Sequence, residues 1–217
     1  MDAGSGRVER STAVGFYRHV IFPRLMEWSL STELSMDYRR KTLEAARGQV
    51  LEIGYGTGLN LPCYPRSIER LVLLDQDQLR PKLVAQRIAE AGLPVETKHL
   101  DAEHLPFESA SFDTVVSTWT LCSIPDVAGA LVEIRRVLKP GGSLLFLEHG
   151  RSDDSRVARR QDRWNWAQKI VGCGCHLNRP IDQLIAASGL TINRLERFDM
   201  PKDPKIFAAH YLGRATH

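Results

Sequence analysis

The stretch Val50-Leu51-Glu52-Ile53-Gly54-Tyr55-Gly56-Thr57-Gly58-Leu59-Asn60 decides the fold. Val50, Leu51 and Ile53 make an apolar run that reads as a buried strand. The run stops at three glycines spaced by two, Gly54, Gly56 and Gly58. Glycine takes positive φ without steric cost and lets a ligand come close to the backbone, because no Cβ is in the way. A strand that ends in such a turn is how open α/β sheets hold nucleotide-like ligands. The dinucleotide fingerprint G-x-G-x-x-G needs glycine at position 59. That position is Leu59, so the pattern here is E-x-G-x-G-x-G.

Downstream of this turn, strand and helix patterns alternate. Leu59–Tyr64 is expected to be a short helix ended near Pro65. Arg70–Asp75 reads as a second buried strand and Leu79–Ala91 as a helix with Gly92 as its C-cap. Val95–Leu100 and Phe112–Thr118 read as the third and fourth strands. Val127–Leu138 is a helix striped by Leu131, Ile134, Val137 and Leu138. Pro140-Gly141-Gly142 should end it before a fifth strand at Leu144–Leu147. Such alternation argues a parallel sheet with helices on both faces. Asp153–Val171 is then expected as an Arg- and Trp-rich helix, Pro180–Ser188 as another, and Thr191–Phe198 with Ile206–Leu212 as two closing strands. Upstream, residues 1–12 read as disordered and 14–47 as helical with a break at Pro23. That region is either a lid over the Gly loop or a pair of helices that only covers the sheet.

Composition narrows the class. The chain has 217 residues and a formal net charge of +3. That length suits one domain with a full core. So small a charge does not argue for nucleic acid. No apolar run is long enough to span a bilayer, and the polar start does not read as a secretory signal. Four cysteines, Cys63, Cys122, Cys173 and Cys175, do not make a disulfide framework in a chain of this size. A cytoplasmic protein is the expectation.

Asp75 ends the second strand, at the position that faces the ribose of a bound nucleoside in a doubly wound sheet. NAD and S-adenosylmethionine (SAM) both present a ribose, and a helix N-cap is the plain alternative. Leu105-Pro106-Phe107, Ser111-Phe112-Asp113-Thr114-Val115-Val116 and Leu138-Lys139-Pro140-Gly141-Gly142 follow in order. With E-x-G-x-G-x-G, these resemble the motifs of class I SAM methyltransferases of the small-molecule type. Further features are similar to the animal membrane-associated alkyl-thiol S-methyltransferases and their bacterial relatives. They are Thr118-Trp119-Thr120-Leu121-Cys122-Ser123, Glu148-His149, Gln161 with Trp164, Gly172-Cys173, His176-Leu177-Asn178-Arg179 and Pro201. The similarity runs from about residue 50 to the end. Before it, the animal proteins have an apolar anchoring segment, whereas this chain is amphipathic and broken by charge, so membrane attachment is not favoured. Tyr55 stands where that family commonly has Cys.

The resemblance implies a Rossmann-like α/β fold with a seven-stranded, mostly parallel sheet of order 3-2-1-4-5-7-6. It implies a single domain over 1–217, with a helical cap at about 14–47 and an acceptor-side insertion at about 150–180. SAM is the implied cofactor and S-adenosylhomocysteine (SAH) its product. The implied cofactor residues are Glu52, Gly54, Tyr55, Gly56, Gly58, Asn60, Asp75, Gln76, Asp101, Ala102 and Thr118. Asp101 would take the adenine amino group, or else simply cap the turn after the third strand. The acceptor would be a small molecule, a thiol on this reading, met by Trp119, Cys122, Trp164, Cys173 and Arg179. N- or O-methylation of a small molecule or a phospholipid headgroup is the alternative. An NAD-dependent oxidoreductase is disfavoured by the glycine spacing, and a SAM-binding module without activity remains a third possibility.

A thiol, with pKa about 8.5, needs at most a weak base or a positive field to react as the thiolate. Amines and phenols need a better placed base. His149, after the fifth strand, is the candidate base and could orient Glu148; a loop histidine bonded to backbone is the alternative. Cys122 is expected to behave as a small hydrophobe. Trp164 and Trp166 are expected to pack inward as an acceptor wall, with the helix's arginines outside. Structural zinc usually needs two separated ligand pairs. Cys173-Gly174-Cys175-His176 has no second Cys pair, so no metal is expected.

Overall fold

A computed structural model of the protein describes residues 15–217; the disorder expected for 1–12 falls outside them. Seven strands form one sheet of order β3-β2-β1-β4-β5-β7-β6. They are β1 (Gln49–Ile53), β2 (Arg70–Asp75), β3 (Val95–His99), β4 (Phe112–Thr118), β5 (Leu138–His149), β6 (Thr191–Asp199) and β7 (Ala209–Thr216). β1 to β5 pair in parallel, and β7 runs antiparallel between β5 and β6. The expected order and closing hairpin are both present.

Period-two alternation explains the two cores. Leu51, Ile53, Val72, Leu74, Val115, Leu144 and Phe146 point to one face. There they meet Leu131 and Ile134 of α4 (Val127–Val137) and Ile181 and Ile185 of α6 (Ile181–Ala187). Val50, Leu71, Leu73, Val116 and Leu145 point to the other face. Their partners include Leu43 of α2 (Glu33–Leu43) and Val84 of α3 (Pro81–Ala91). A strand buried on both faces reads as a continuous apolar run, which is why β2 and β4 match their expected bounds at both ends.

Beyond shifts of one or two residues at element ends, three segments differ from expectation. Pro23 does not break the N-terminal region: it lies in the first turn of α1 (Phe22–Leu30), where its missing N–H is not needed. The break falls at Ser31–Thr32, where the Thr32 hydroxyl caps α2 by accepting from the Ser35 N–H at 3.2 Å. Lys139-Pro140-Gly141-Gly142 does not precede the fifth strand but lies in it. Phe112 pairs with Leu138 and Thr114 with Ser143, so the extra residues bulge out of the ladder. Ile206 is not in the last strand either; Lys205–Ala208 forms a single helical turn, α7, after Pro204, and β7 begins at Ala209.

The N-terminal segment lies over the carboxyl edge of the sheet and is tied down along its length. Arg18 pairs with Asp77 at 2.9 Å. Glu27 of α1 pairs with Arg87 of α3 at 2.5 Å, and Arg87 also donates to the Thr57 carbonyl at 2.8 Å. Tyr38 of α2 stacks on Phe198 of β6 with centroids 4.2 Å apart. The Tyr17 hydroxyl donates to the Val171 carbonyl at the end of α5 (Ser155–Val171).

Candidate active site

The Gly loop follows β1 with Gly54, Gly56 and Gly58 at φ +72, +54 and +81. These glycines meet different surroundings. A Cβ on Gly54 would sit 2.2 Å from Thr120 Oγ1, and one on Gly58 would sit 2.9 Å from Leu61 Cδ1. A Cβ on Gly56 would meet nothing within 4 Å. Gly54 is therefore small for packing, while Gly56 faces open space at the sheet edge. Beside it, Asp75 Oδ2 accepts the Gly56 N–H at 2.8 Å and Oδ1 accepts the Asp77 N–H at 3.0 Å. Burial pushes the Asp75 carboxyl above its ordinary value, against those two hydrogen bonds. The Leu100 N–H donates to the Asp75 carbonyl, which brings the end of β3 alongside. Asp101 Oδ1 there accepts the Glu103 N–H at 2.7 Å, so Asp101 does cap its turn, next to the buried Ala102. Gln76 is exposed at the same edge.

The remaining candidate cofactor residues form a largely buried network. Asn60 Nδ2 donates to Glu52 Oε1 at 2.9 Å and to Thr118 Oγ1 at 3.0 Å. The Tyr64 hydroxyl donates to Glu52 Oε2 at 2.6 Å. Burial raises the Glu52 carboxyl. The Tyr55 side chain packs in the core with Leu61 and Tyr64, and burial pushes its hydroxyl up to about 12. Arg39 of α2, which sequence reasoning missed, enters this network from above. Its Nη1 donates to Asn60 Oδ1 at 2.7 Å and to Thr118 Oγ1 at 3.0 Å. Its Cζ lies 4.5 Å from the centroid of the Trp119 ring. Burial lowers its pKa to about 10, and its buried Nε has no partner among the described residues. No local signal marks Arg39, since its partners lie far away in the sequence.

The loop after β4 is held in an unusual shape. Trp119 takes φ +51, a conformation that costs a non-glycine residue about 1 kcal/mol or more. Glu148, fully buried at the end of β5, fixes this loop. It accepts from Ser117 Oγ at 2.7 Å, from the Thr120 N–H at 2.9 Å and from the Leu121 N–H at 3.1 Å. Glu148 is thus oriented by backbone and by Ser117, not by His149 as expected. The Trp119 indole donates to His210 Nε2 at 2.9 Å, and His210 Nδ1 donates to the Ala208 carbonyl at 2.7 Å.

Beyond the loop after β4, Cys122 and His149 are buried and Cys175 is half-buried. The Cys122 and Cys175 sulfurs are 3.5 Å apart, and His149 Nδ1 lies 3.7 Å from the Cys175 sulfur. Cys173 takes φ +49 in the turn after α5 and is half-buried. Arg179 is buried, and its guanidinium is spent on the Leu121 and Pro125 carbonyls, which makes it an anchor of the loop after β4. Trp164 and Trp166 do not pack inward; they are 51% and 64% exposed. The buried face of α5 runs through Val157, Ala158 and Gln161. It continues to Asn165, which accepts from the Leu177 N–H. At about 100° per residue, positions 164 and 166 fall to either side of that face. Gln161 bridges Ser152, Gly150 and Ile206, a structural tie for the insertion.

A mostly parallel sheet with a Gly loop and a strand-end carboxylate at its carboxyl edge is the arrangement in which open α/β enzymes hold a nucleoside-type ligand. The sequence model of the family described as Methyltransferase domain matches residues 51–146. The chain is similar to thiol S-methyltransferase TMT1B of Mus musculus, 33% identical over 81% of this chain and 74% of that protein. It is also similar to phosphatidylethanolamine N-methyltransferase of Cereibacter sphaeroides, 32% identical over 58% of this chain and 64% of that protein. In fold it matches the N-methyltransferase NodS of Bradyrhizobium japonicum solved with SAH, with TM-score 0.64, 17% identity, and coverage of 88% and 91% of the two chains. The chain belongs to the SAM-dependent methyltransferases. Its cofactor is SAM. The open space at Gly56 and the Asp75 carboxylate beside it fit that cofactor. Among the described residues, no helix is long and apolar enough to cross a membrane.

Proposed function

We propose that this methyltransferase S-methylates a small apolar thiol. Bound SAM supplies a methyl group on a sulfonium sulfur, open to attack by a nucleophile from the side opposite the leaving thioether. The chain's part is to bind, to align and to exclude water, which can supply much of the rate by positioning alone. Gly54, Gly56 and Gly58 let the backbone approach the cofactor, Asp75 takes its ribose hydroxyls, and Asp101 with Ala102 meets its adenine. Arg39, positive and with a buried Nε that has no partner among the described residues, meets the cofactor's carboxylate, beside Asn60 and Thr118. The helices at 15–43 cap the site. Trp119, Cys122, Cys173 and His149 line the place of the acceptor, with His149 as the group nearest its proton. Arg179 and Trp164 act there only through the segments they belong to.

One observation carries the choice of a thiol. Glu148, the carboxylate closest to the loop after β4, has both oxygens engaged by Ser117, Thr120 and Leu121. With Glu148 engaged, His149 is the base left beside this loop, which suffices for a thiol, whereas an amine or phenol would ask for a better placed one. The similarity to TMT1B, which extends over 81% of the chain, supports the same choice. A cytoplasmic location accompanies this reading, in keeping with four cysteines and no disulfide framework.

The test is a parallel assay of purified protein with SAM and small alkyl thiols, alkyl amines, phenols and phosphatidylethanolamine vesicles, read by SAH release and by product mass. S-methyl thioether from alkyl thiols is expected. Turnover of an amine or the lipid without any thioether product would overturn the reading.

A further inference from the structure

The turn Cys173–His176 offers too few metal ligands by itself, but the fold brings the missing ones to it. Cys122 comes from the loop after β4, His149 from the end of β5 and Cys175 from the turn after α5. One ligand atom from each lies within 4.8 Å of the others. The sulfur–sulfur distance is 3.5 Å and the Cys175 sulfur–His149 Nδ1 distance is 3.7 Å. A tetrahedral zinc ion, with Zn–S about 2.3 Å and Zn–N about 2.0–2.1 Å, needs ligand separations of roughly 3.5–3.8 Å. The two measured edges lie close to those separations, and the third is within 4.8 Å, so a small adjustment closes the tetrahedron.

The three segments are also fixed. Glu148 holds the backbone before Cys122, and Arg179 binds the Leu121 carbonyl. The His176 N–H donates to the Cys122 carbonyl at 2.8 Å and so ties the two cysteine-bearing turns together. His149 sits at the end of a strand paired on both sides. Cys122 and His149 are buried and Cys175 is half-buried, so whatever access the trio has comes through Cys175. Two sulfurs and one imidazole select a soft or borderline ion such as Zn²⁺. Three protein ligands with an open fourth position are the arrangement of catalytic, not structural, zinc.

We propose that Cys122, Cys175 and His149 bind one Zn²⁺ ion whose fourth position takes the acceptor thiol. This deepens the thiol reading and rests on it. Cys122 and Cys175 bind as thiolates, and His149 binds through the neutral Nδ1. The acceptor R–SH binds as RS⁻, and its proton leaves to solvent. The RS⁻ sulfur then forms a bond to the methyl carbon as the sulfonium C–S bond breaks, giving R–S–CH₃ and SAH with no change in the ion's oxidation state. Zn²⁺ and a proton compete for the same Nδ1 lone pair, so the ion takes over the proton's removal from His149. Cys173 is not a ligand.

The probe is Co²⁺ added to the phosphine-reduced, chelator-treated full chain. Saturation at one equivalent is expected, with a sulfur-to-cobalt charge-transfer band and the intense visible bands of tetrahedral cobalt. Cys122→Ser and Cys175→Ser should lose the charge-transfer intensity while still binding SAH, which shows that they fold; Cys173→Ser should keep it. Adding 1-propanethiol should strengthen the band as a third sulfur joins. No band in the parent protein, or a band unchanged in Cys175→Ser, overturns the site. A band that does not respond to the thiol overturns the acceptor's place on the ion. Full thiol methylation by the chelator-treated enzyme overturns the zinc role and leaves the thiol reading standing. A cobalt site with no thiol turnover, with or without Zn²⁺, overturns the thiol reading and the acceptor's place on the ion, and leaves the metal site standing.

Discussion

His210 is neutral in this fold, and acid should break what it holds. Its Nδ1–H donates to the Ala208 carbonyl and its Nε2 accepts from the Trp119 indole. Protonation would turn the accepting nitrogen into a donor and leave the indole N–H without an acceptor. Burial, the leading cause, with the nearby His149, lowers the His210 pKa from 6.5 to about 4. The pKa is depressed on folding, so the unfolded chain binds the extra proton between those two values. Stability is therefore complete above about pH 6.5 and is lost as pH falls toward about 4. At about 1.36 kcal/mol per unit, the full linkage is roughly 3 kcal/mol. For a chain of this length that corresponds to a fall in Tm on the order of 10 °C. The assay is thermal unfolding by circular dichroism from about pH 7.5 to about pH 4.5, for the parent and for His210→Gln. Glutamine keeps one acceptor and one donor but does not titrate in this range, so the difference between the two curves isolates His210. The parent should lose the additional 10 °C or so that the variant keeps. Parallel curves would refute the neutral, doubly bonded His210 and the anchoring of Trp119 that follows from it.

Other outcomes follow from the same geometry. Gly54→Ala should lower Tm, because its Cβ would collide with Thr120. Gly56→Ala, with open space around its Cβ, should weaken SAH binding in calorimetry by more than it lowers Tm; the reverse order would misassign the two glycines. Arg39→Ala should weaken SAH binding by about 1–3 kcal/mol if the guanidinium meets the cofactor's carboxylate. An unchanged Kd would leave Arg39 a support for Asn60, Thr118 and Trp119 only. Asp75→Ala should cost a similar amount, about 1–3 kcal/mol, and unchanged SAH affinity would remove Asp75 from the ribose. Glu148→Ala strips the anchor from Ser117, Thr120 and Leu121 and should lower stability by about 2–3 kcal/mol in denaturant titration; a loss below about 0.5 kcal/mol would show that the loop after β4 holds its shape without it.

The chain divides by how far apart its partners lie. The alternation of β1 to β5 with helices was legible, since burial on both faces leaves continuous apolar runs. The misplaced boundaries, Pro23, Lys139–Gly142 and Ile206, fall where proline or glycine punctuates a segment in more than one way. Pro23 lies in the first turn of α1, directly after the π-helical residues Tyr17–Ile21, instead of stopping a helix, and Pro140-Gly141-Gly142 bulges from a strand instead of preceding it. On the insertion helix, Trp164 and Trp166 suggested a wall. The face that packs is set by Gln161 and Asn165, polar residues whose partners the sequence does not announce.

The sequence by itself determined the Gly-loop half of the candidate site. Gly54 to Asn60 are contiguous, Asp75 ends β2 and Asp101 lies two residues past the end of β3, so a loop and two strand ends need only parallel order to converge. Only the tertiary structure decided the other half. Cys122, His149 and Cys175 meet because β4 and β5 end side by side and the turn after α5 folds back over them. Arg39 reaches Asn60 and Thr118 because α2 crosses above the sheet edge. Contacts across such sequence distances leave no periodic trace, since their energy comes from groups brought together only when the chain folds.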